Sequence, residues 1–363
     1  MRLQNHVLQF ASNDSDVLKL LKSFGDYYNH YLSMKGIEGI DFSKEVSFKD
    51  KEDAINNAIV KEVVKRSGLG SEAIEDIGSF ADSPTVRWAT FAVITNLIDT
   101  AVPVSLERLI TPWADIQYGG YGDTFKFVTG YNGFLKVTRS GRAQRLAERQ
   151  RLVKGEFYVQ PEPHMLTLET DLYRLLLGLD SLAEMTAIVT RSMAHAIASE
   201  AFAAIGTAVA ALPSGANGLL VNGYTQDDLA RLITRVSAYS GGGVPWIMGS
   251  LHAVSRILPE ATMASIPVDS DYFALGHVTR AMGSPVFVLP SAPAGEPYGT
   301  TPADDTIYIL PSYGKPIKVG VGGQMRHQSG QFDHADLTQT TTMWKDFGVE
   351  AATGVVFGAI RLV

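Results

Sequence analysis

The most regular stretch of the chain runs from about Ser181 to Leu212, where Leu182, Met185, Ile188, Val189, Ser192, Ala196, Ser199 and Ala203 recur at three- and four-residue steps. Ser181 and Glu184 are spaced as a capping box, and Pro213 followed by Gly215 marks the end. This spacing predicts a helix about 45 Å long at 1.5 Å per residue. Ala194, Ala196, Ala198, Ala201, Ala203 and Ala204 thin its second half, so that a sheet or a neighbouring backbone can approach closely. A shorter amphipathic helix is predicted from Lys51 to about Ser67, on Ala54, Ala58, Ile59, Val63 and Val64. Up to about Val46 no period is sustained, and the reading there is an extended arm ordered by its neighbours.

Between Gly122 and Pro161 the pattern alternates instead. Thr124-Phe-Lys-Phe-Val128 and Phe134-Leu-Lys-Val-Thr138 flank the turn signal Thr129-Gly-Tyr-Asn-Gly133, which predicts a long β-hairpin. After the break at Pro213 to Gly218 come a helix over Gln226–Tyr239 capped by Thr225, a strand over Val244–Met248 and a helix over Leu251–Leu258 capped by Ser250. Short strands bounded by Pro and Gly follow at Val286–Leu289, Thr306–Leu310 and Ile317–Val321. The ending, Thr338 to Val363, is rich in Thr, Val, Phe and Ile and reads as strands completing earlier sheets. There is no internal repeat.

Composition narrows the function. A chain of 363 residues with 45% hydrophobic content is long enough for two or three packed units. A formal charge of −7 and a pI near 5.6 exclude a broad basic face that grips nucleic acid, so any contact with DNA is expected to be loose. Cysteine is absent, which removes disulfides, thiolate metal sites and thiol nucleophiles. No uninterrupted apolar run approaches about 20 residues, and Met1 to Asn13 is polar where a signal peptide needs its apolar core, so the chain reads as neither exported nor membrane-embedded.

Against this acidic background the distal part of the hairpin is strongly basic. Lys136, Arg139, Arg142, Arg145, Arg149, Arg151 and Lys154 face a single acid, Glu148. These seven are the candidate functional residues, as an intersubunit arm steered to an acidic surface. A solvated basic loop is the plainer alternative, and a nucleic-acid clamp is weaker because aromatics for base stacking are sparse.

Reactive chemistry is hard to find. Gly320-Val-Gly-Gly323 lacks both a phosphate-loop lysine and dinucleotide spacing and reads as a glycine-rich turn, and neither a Gly-x-Ser-x-Gly elbow nor a His-Glu-x-x-His helix occurs. Of eight histidines only His327 and His334 crowd with acids, Asp333 and Asp336, and a polar loop or edge strand accounts for them better than a metal site. Asp269 and Asp271, between Pro267 and Tyr272, read as turn and cap chemistry. Trp88, Trp113, Trp246 and Trp344 each sit among apolar neighbours, as core or interface residues do. The reading is of no catalytic residue, no cofactor and no metal.

Three passages carry a family resemblance. Val244-Pro-Trp-Ile-Met-Gly-Ser250 with Leu251-His-Ala-Val-Ser-Arg-Ile-Leu258, then Gly283-Ser-Pro-Val-Phe-Val-Leu-Pro290, resemble the apical segment of Hong Kong 97-type phage capsid proteins. Trp344-Lys-Asp-Phe-Gly-Val-Glu350 with Val356-Phe-Gly-Ala-Ile-Arg-Leu-Val363 is similar to that family's closing strands, and the resemblance spans about Thr90 to Val363. It implies an α+β fold with an N-terminal arm (1–46), a peripheral domain (47–121, 162–213 and return strands 325–352) holding the spine helix, an extended loop (122–161), an α/β apical domain (214–324) and a C-terminal strand (353–363) returning to it. It further implies a major capsid protein that is not an enzyme, assembling in the host cytoplasm as hexamers and pentamers into an icosahedral virion shell around double-stranded DNA. Its partners would be further copies of itself, a separate scaffolding protein, a portal and decoration proteins, with non-specific proximity to packaged DNA and no membrane. Lys136 or Lys154 would be the donor if the shell cross-linked through Lys and Asn. The rivals are an encapsulin-like nanocompartment shell and an α/β enzyme around Ser250, His252 and Asp271, and assembly size separates them.

Overall fold

A computed structural model describes residues 15–35, 42–68, 83–111, 113–129, 155–171, 174, 179–215, 218–257, 275–289, 291–293, 299–312, 314–333, 338–352 and 355–362. Within the stretch expected to be an extended arm, Ser15–Met34 forms helix α1. Val17, Leu20, Leu21, Phe24, Tyr27, Tyr28, Tyr31 and Leu32 form its buried stripe. The helical period is there in the sequence, but half of it is written in aromatic residues between lysines and aspartates, which hides it. Residues 1–14 of the expected arm lie outside the described residues.

Helix α2 (Phe48–Ser67) begins at Ser47, whose hydroxyl accepts from the Asp50 amide, and stops at Gly68, which adopts a left-handed φ of 70°. Its buried face runs through Ile55, Ile59, Val63 and Val64, whereas Ala54 is exposed. Helix α3 (Pro84–Leu109) is apolar on nearly every side because it is the centre of the larger core. Buried hydroxyls along it find acceptors on its own previous turn, Thr90 on Val86 O and Thr95 on Phe91 O, so they enter the core without an unmet donor. By length and composition alone α3 and the long helix α4 (Leu182–Ala210) are apolar enough to cross a membrane. In the fold, α3 is the most enclosed element and α4 is covered along one side.

Helix α4 matches the predicted spine closely, but its buried face is not the predicted one. Leu182, Thr186, Val189, Met193, Ile197, Ala201 and Ile205 point inward, while Ile188, Ser192, Ala196 and Ala203 are exposed. Because this helix is apolar nearly all round, periodicity cannot single out the face that packs. Its start is fixed twice. Ser181 Oγ accepts from the Glu184 amide at 3.1 Å, and Asn56 of α2 reaches across, accepting from the Ala183 amide at 2.9 Å and donating to Ser181 Oγ at 3.3 Å.

Helices α3 and α4 cover one face of a sheet ordered β1 (Ala114–Gly119), β12 (Ile317–Asp333), β13 (Thr338–Ala351) and β4 (Glu162–Thr170), and α1 and α2 pack against these two helices. β1 runs parallel to β12 and the other pairs are antiparallel. Gly320 to Gly323, expected to be a turn, lies inside β12. β2 (Phe125–Thr129) pairs with β3 (Gly155–Val159), which closes the expected loop at its root; Phe134–Thr138 and the turn signal before it at 130–133 lie outside the described residues.

A second sheet is ordered β5 (Leu220–Asn222), β14 (Gly358–Arg361), β11 (Thr306–Leu310), β6 (Trp246–Gly249), β8 (Ser284–Val288) and β7 (Arg280–Ala281). Its central strand β11 is buried throughout. Ile307 and Ile309 face a smaller core with Leu229, Leu232 and Val236 of helix α5 (Gln226–Tyr239), while Tyr308 and Leu310 join the larger core. A strand covered on both faces needs an unbroken apolar run, which is what Thr-Ile-Tyr-Ile-Leu supplies. Helix α5 has the predicted bounds, with Thr225 Oγ1 accepting from the Asp228 amide. A short hairpin of β9 (Ala292–Pro293) and β10 (Thr300–Thr301) and the short helix α6 (Leu251–Ser255) complete the unit.

His327 on β12 sits 6.4 Å from the rings of both Trp88 and Phe91. Burial lowers its pKa below the ordinary 6.5, partly offset by a hydrogen bond to the Trp88 backbone. His30, stacked on Phe42 and close to Lys51, shifts the same way. In the window between 6.5 and these lower folded values the unfolded chain holds more protons, so stability drops as pH falls through it. Thermal melts at pH 7 and pH 5 should therefore show an acid penalty that shrinks in His327→Gln; an unchanged penalty would show that this ring does not contribute.

Candidate assembly surface

The extended loop is rooted by a local two-sided pattern. Phe125, Phe127 and Val159 point inward as a small apolar cluster, with Phe157 against it, while Lys126, Val128, Glu156 and Tyr158 are exposed. On the outer side Lys126 Nζ lies 2.5 Å from Glu156, and the Tyr158 hydroxyl donates to Glu156 at 3.0 Å. These exposed contacts align the two strands and add little stability, because water screens them.

What seats the root is a pair of glycines. Gly320 and Gly348 are opposite each other across β12 and β13. A Cβ on Gly320 would overlap the Phe125 ring, and one on Gly348 would stand 2.5 Å from the Gln160 carbonyl oxygen. The glycine-rich run thus has a steric role inside a strand: it lets the hairpin lie directly on the sheet backbone.

Charged groups then fix the surrounding strands. Lys318, almost fully buried, forms an ion pair with Asp115, its partner in the β1–β12 register, and holds its ammonium 5.7 Å from the Phe127 ring centre. Lys315 donates to the Thr111 carbonyl, and burial lowers its pKa. Between Gly322 and Arg326 the register of β12 slips, as at a β-bulge. Asp99 of α3 accepts from the Met325 amide at 2.7 Å, and Lys345 donates both to Asp99 and to the Gly323 carbonyl at 2.6 Å. The bridge gives the Met325 amide an acceptor and the Gly323 carbonyl a donor within the irregular segment. Beside it Arg326 stacks over Tyr121 at 4.1 Å, lies 5.4 Å from the Trp344 ring centre and pairs with Asp346 at 3.2 Å.

Lys136, Arg139, Arg142, Arg145, Arg149, Arg151 and Lys154 lie outside the described residues, between the two rooted strands. Asp269, Asp271, His334 and Asp336 lie outside them as well. Ser250 is committed to structure: its hydroxyl donates to the Asp304 carbonyl at 3.0 Å and accepts from the Ala253 amide as the cap of α6. His252 is exposed on that helix, and Trp88 is 56% exposed instead of packed in the core. Among the described residues no group of three or more His, Asp or Glu side chains converges for a metal. Sequence reading missed the Asp99–Lys345 bridge, because the two residues meet only through tertiary packing. The glycine pair was visible as composition, but its purpose was not.

The sequence profile of the family described as "SPbeta prophage-derived putative capsid protein YonB" matches residues 35–361, and the chain belongs to that family: it is a phage capsid protein. No curated protein matches. Solved structures to which the fold is similar include the mature capsid of bacteriophage PhiM1, at 12% identity over 69% of this chain and 86% of that one, with a TM-score of 0.48. The capsid of a native GTA particle is similar at 14% identity over 71% and 90%, with a TM-score of 0.48, and that of cyanophage P-SCSP1u at 10% over 69% and 86%, with a TM-score of 0.43. The order of hairpin strands, spine helix, mixed sheet and long returning strands follows the order that the resemblance implied.

Lys345→Ala would leave the Asp99 carboxylate facing the core and the Gly323 carbonyl without its donor, at a cost of about 3 kcal/mol. Denaturant unfolding should show that loss, and adding Asp99→Asn should recover part of it; equal stability of Lys345→Ala and the parent would remove the bridge from this account.

Proposed function

We propose that the protein is a major capsid protein whose copies associate as hexamers and pentamers into an icosahedral shell enclosing double-stranded DNA. The observation that carries this reading is the family match over residues 35–361. In this reading its role is structural and it catalyses nothing. Assembly takes place in the host cytoplasm with a separate scaffolding protein, around a portal, and decoration proteins join the finished shell. Lys136, Arg139, Arg142, Arg145, Arg149, Arg151 and Lys154 contact an adjacent subunit. The root of the loop supports that role, since the strands on both sides of the basic segment, β2 and β3, are seated directly on the sheet. The negative charge of the chain fits DNA that is enclosed and not gripped.

Negative-stain electron microscopy of the expressed chain, alone and with the phage's scaffolding protein, tests the proposal. Closed shells, tubes or hexamer sheets are the expected result. Small particles that never assemble under either condition would overturn it.

A further inference from the structure

One lysine beside the hairpin root is placed for chemistry as well as for packing. A cleft of about 410 Å³ opens where the end of α3, β1, β2 and the start of β12 meet, a size within the range of about 300–1,000 Å³ usual for small-molecule sites. Ala114, Ile116, Phe127 and Val128 give it an apolar wall. The titratable groups that line it are Lys315, Lys318, Asp115, Glu107 and the Tyr118 phenol.

Lys315 differs from an ordinary surface lysine in how its nitrogen is held. Its side chain is only 25% exposed. The nitrogen donates to the Thr111 carbonyl and to the Ala114 carbonyl, the latter at 3.4 Å. Its own carbon and these two acceptors account for three of the four tetrahedral positions. The fourth, a proton on the ammonium and a lone pair on the free amine, is left for the cleft. Its charge is also weakly balanced, because Asp115 stands 4.0 Å away and is already in contact with the ammonium of Lys318. Burial lowers the pKa of Lys315, Asp115 opposes that shift and Lys318 adds to it. A desolvated amine beside a second cation is the setting in which lysine becomes a nucleophile near neutral pH. Lys318 itself is almost fully enclosed, with its ammonium on Asp115 and over the Phe127 ring, so Lys315 is the amine that the cleft presents.

We propose that Lys315 is a modification site, at which a small aldehyde with an apolar body seats against Phe127 and Val128 and forms an imine with the amine. The nitrogen lone pair adds to the carbonyl carbon while one N–H proton passes to the oxygen, with Asp115 in reach to carry it. Loss of that hydroxyl with the second N–H proton, as water, leaves the C=N bond. This site goes beyond the shell reading and does not depend on it.

The test needs only the unmodified full chain. It is treated at pH 7 with limiting benzaldehyde and, separately, with limiting formaldehyde, each with cyanoborohydride to reduce the imine by hydride transfer, and the adducts are located by peptide mass spectrometry. Lys315 is expected to carry at least about fivefold more benzaldehyde label than the median of the other lysines, because a larger fraction of it is free amine. Formaldehyde, which has no apolar body, should prefer it less. Both preferences should disappear in urea that unfolds the chain, and narrow at about pH 10, where ordinary lysines also lose their protons. Labelling of Lys315 by benzaldehyde at or below the median, or a preference that survives unfolding, would overturn the site. Equal preference for the two aldehydes would overturn the seat against Phe127 and Val128.

Discussion

The pairing of β12 with β13 is the constraint on which the rest of the molecule depends. Their register runs from Ile317–Ala351 to Asp333–Thr338, and β1, β4, α3 and α4 are all attached to this pair. β1 adds to one edge and β4 to the other, while α3 and α4 cover the inner face through Val319, Val321, Met343 and Phe347. The chain enters this pair from β11 and leaves it towards β14, which are neighbours in the second sheet, so the two cores are tied at a shared hinge of backbone. Long antiparallel pairing is a stiff way to do this, because each hydrogen-bonded step constrains the next.

A pair of missing side chains and a slip of register set what packs on this sheet. Where a strand side chain would be expected, Gly320 and Gly348 leave none, and the hairpin lies flat on the backbone instead of standing off it. A short distance along, the register slip between Gly322 and Arg326 is stabilised by Asp99 and Lys345, which take up the groups that the neighbouring strand cannot reach. One departure makes room and the other is held in place by α3. Together they let the root strands β2 and β3 lie directly on the sheet. A single exposed ion pair contributes about 0–1 kcal/mol, so a shell gains strength from repeating modest contacts and from subunits that do not deform between them.

The amino-acid sequence determined by itself what is local. The caps at Ser181, Thr225 and Ser250 are short-range contacts between a hydroxyl and an amide three residues on, and all three stand where the sequence placed them. The strand Thr306–Leu310 and the helices Leu182–Ala210 and Gln226–Tyr239 were legible for the same reason, as were the charge contrast of residues 136–154 and the order of elements that resembles a capsid fold. Tertiary structure decided whatever depends on a partner distant in sequence. It turned the supposed arm into α1, whose Tyr27, Tyr28 and Tyr31 count as apolar only when a core is there to receive them, and it chose which face of an apolar helix was buried. It also paired Phe125–Thr129 with Gly155–Val159, and made a strand of four residues read as a glycine-rich turn. The physical reason is common to all of these: a cap or an apolar period is complete within a few residues, whereas the burial of a face, the register of a strand and the need for a missing side chain are set by what packs against them.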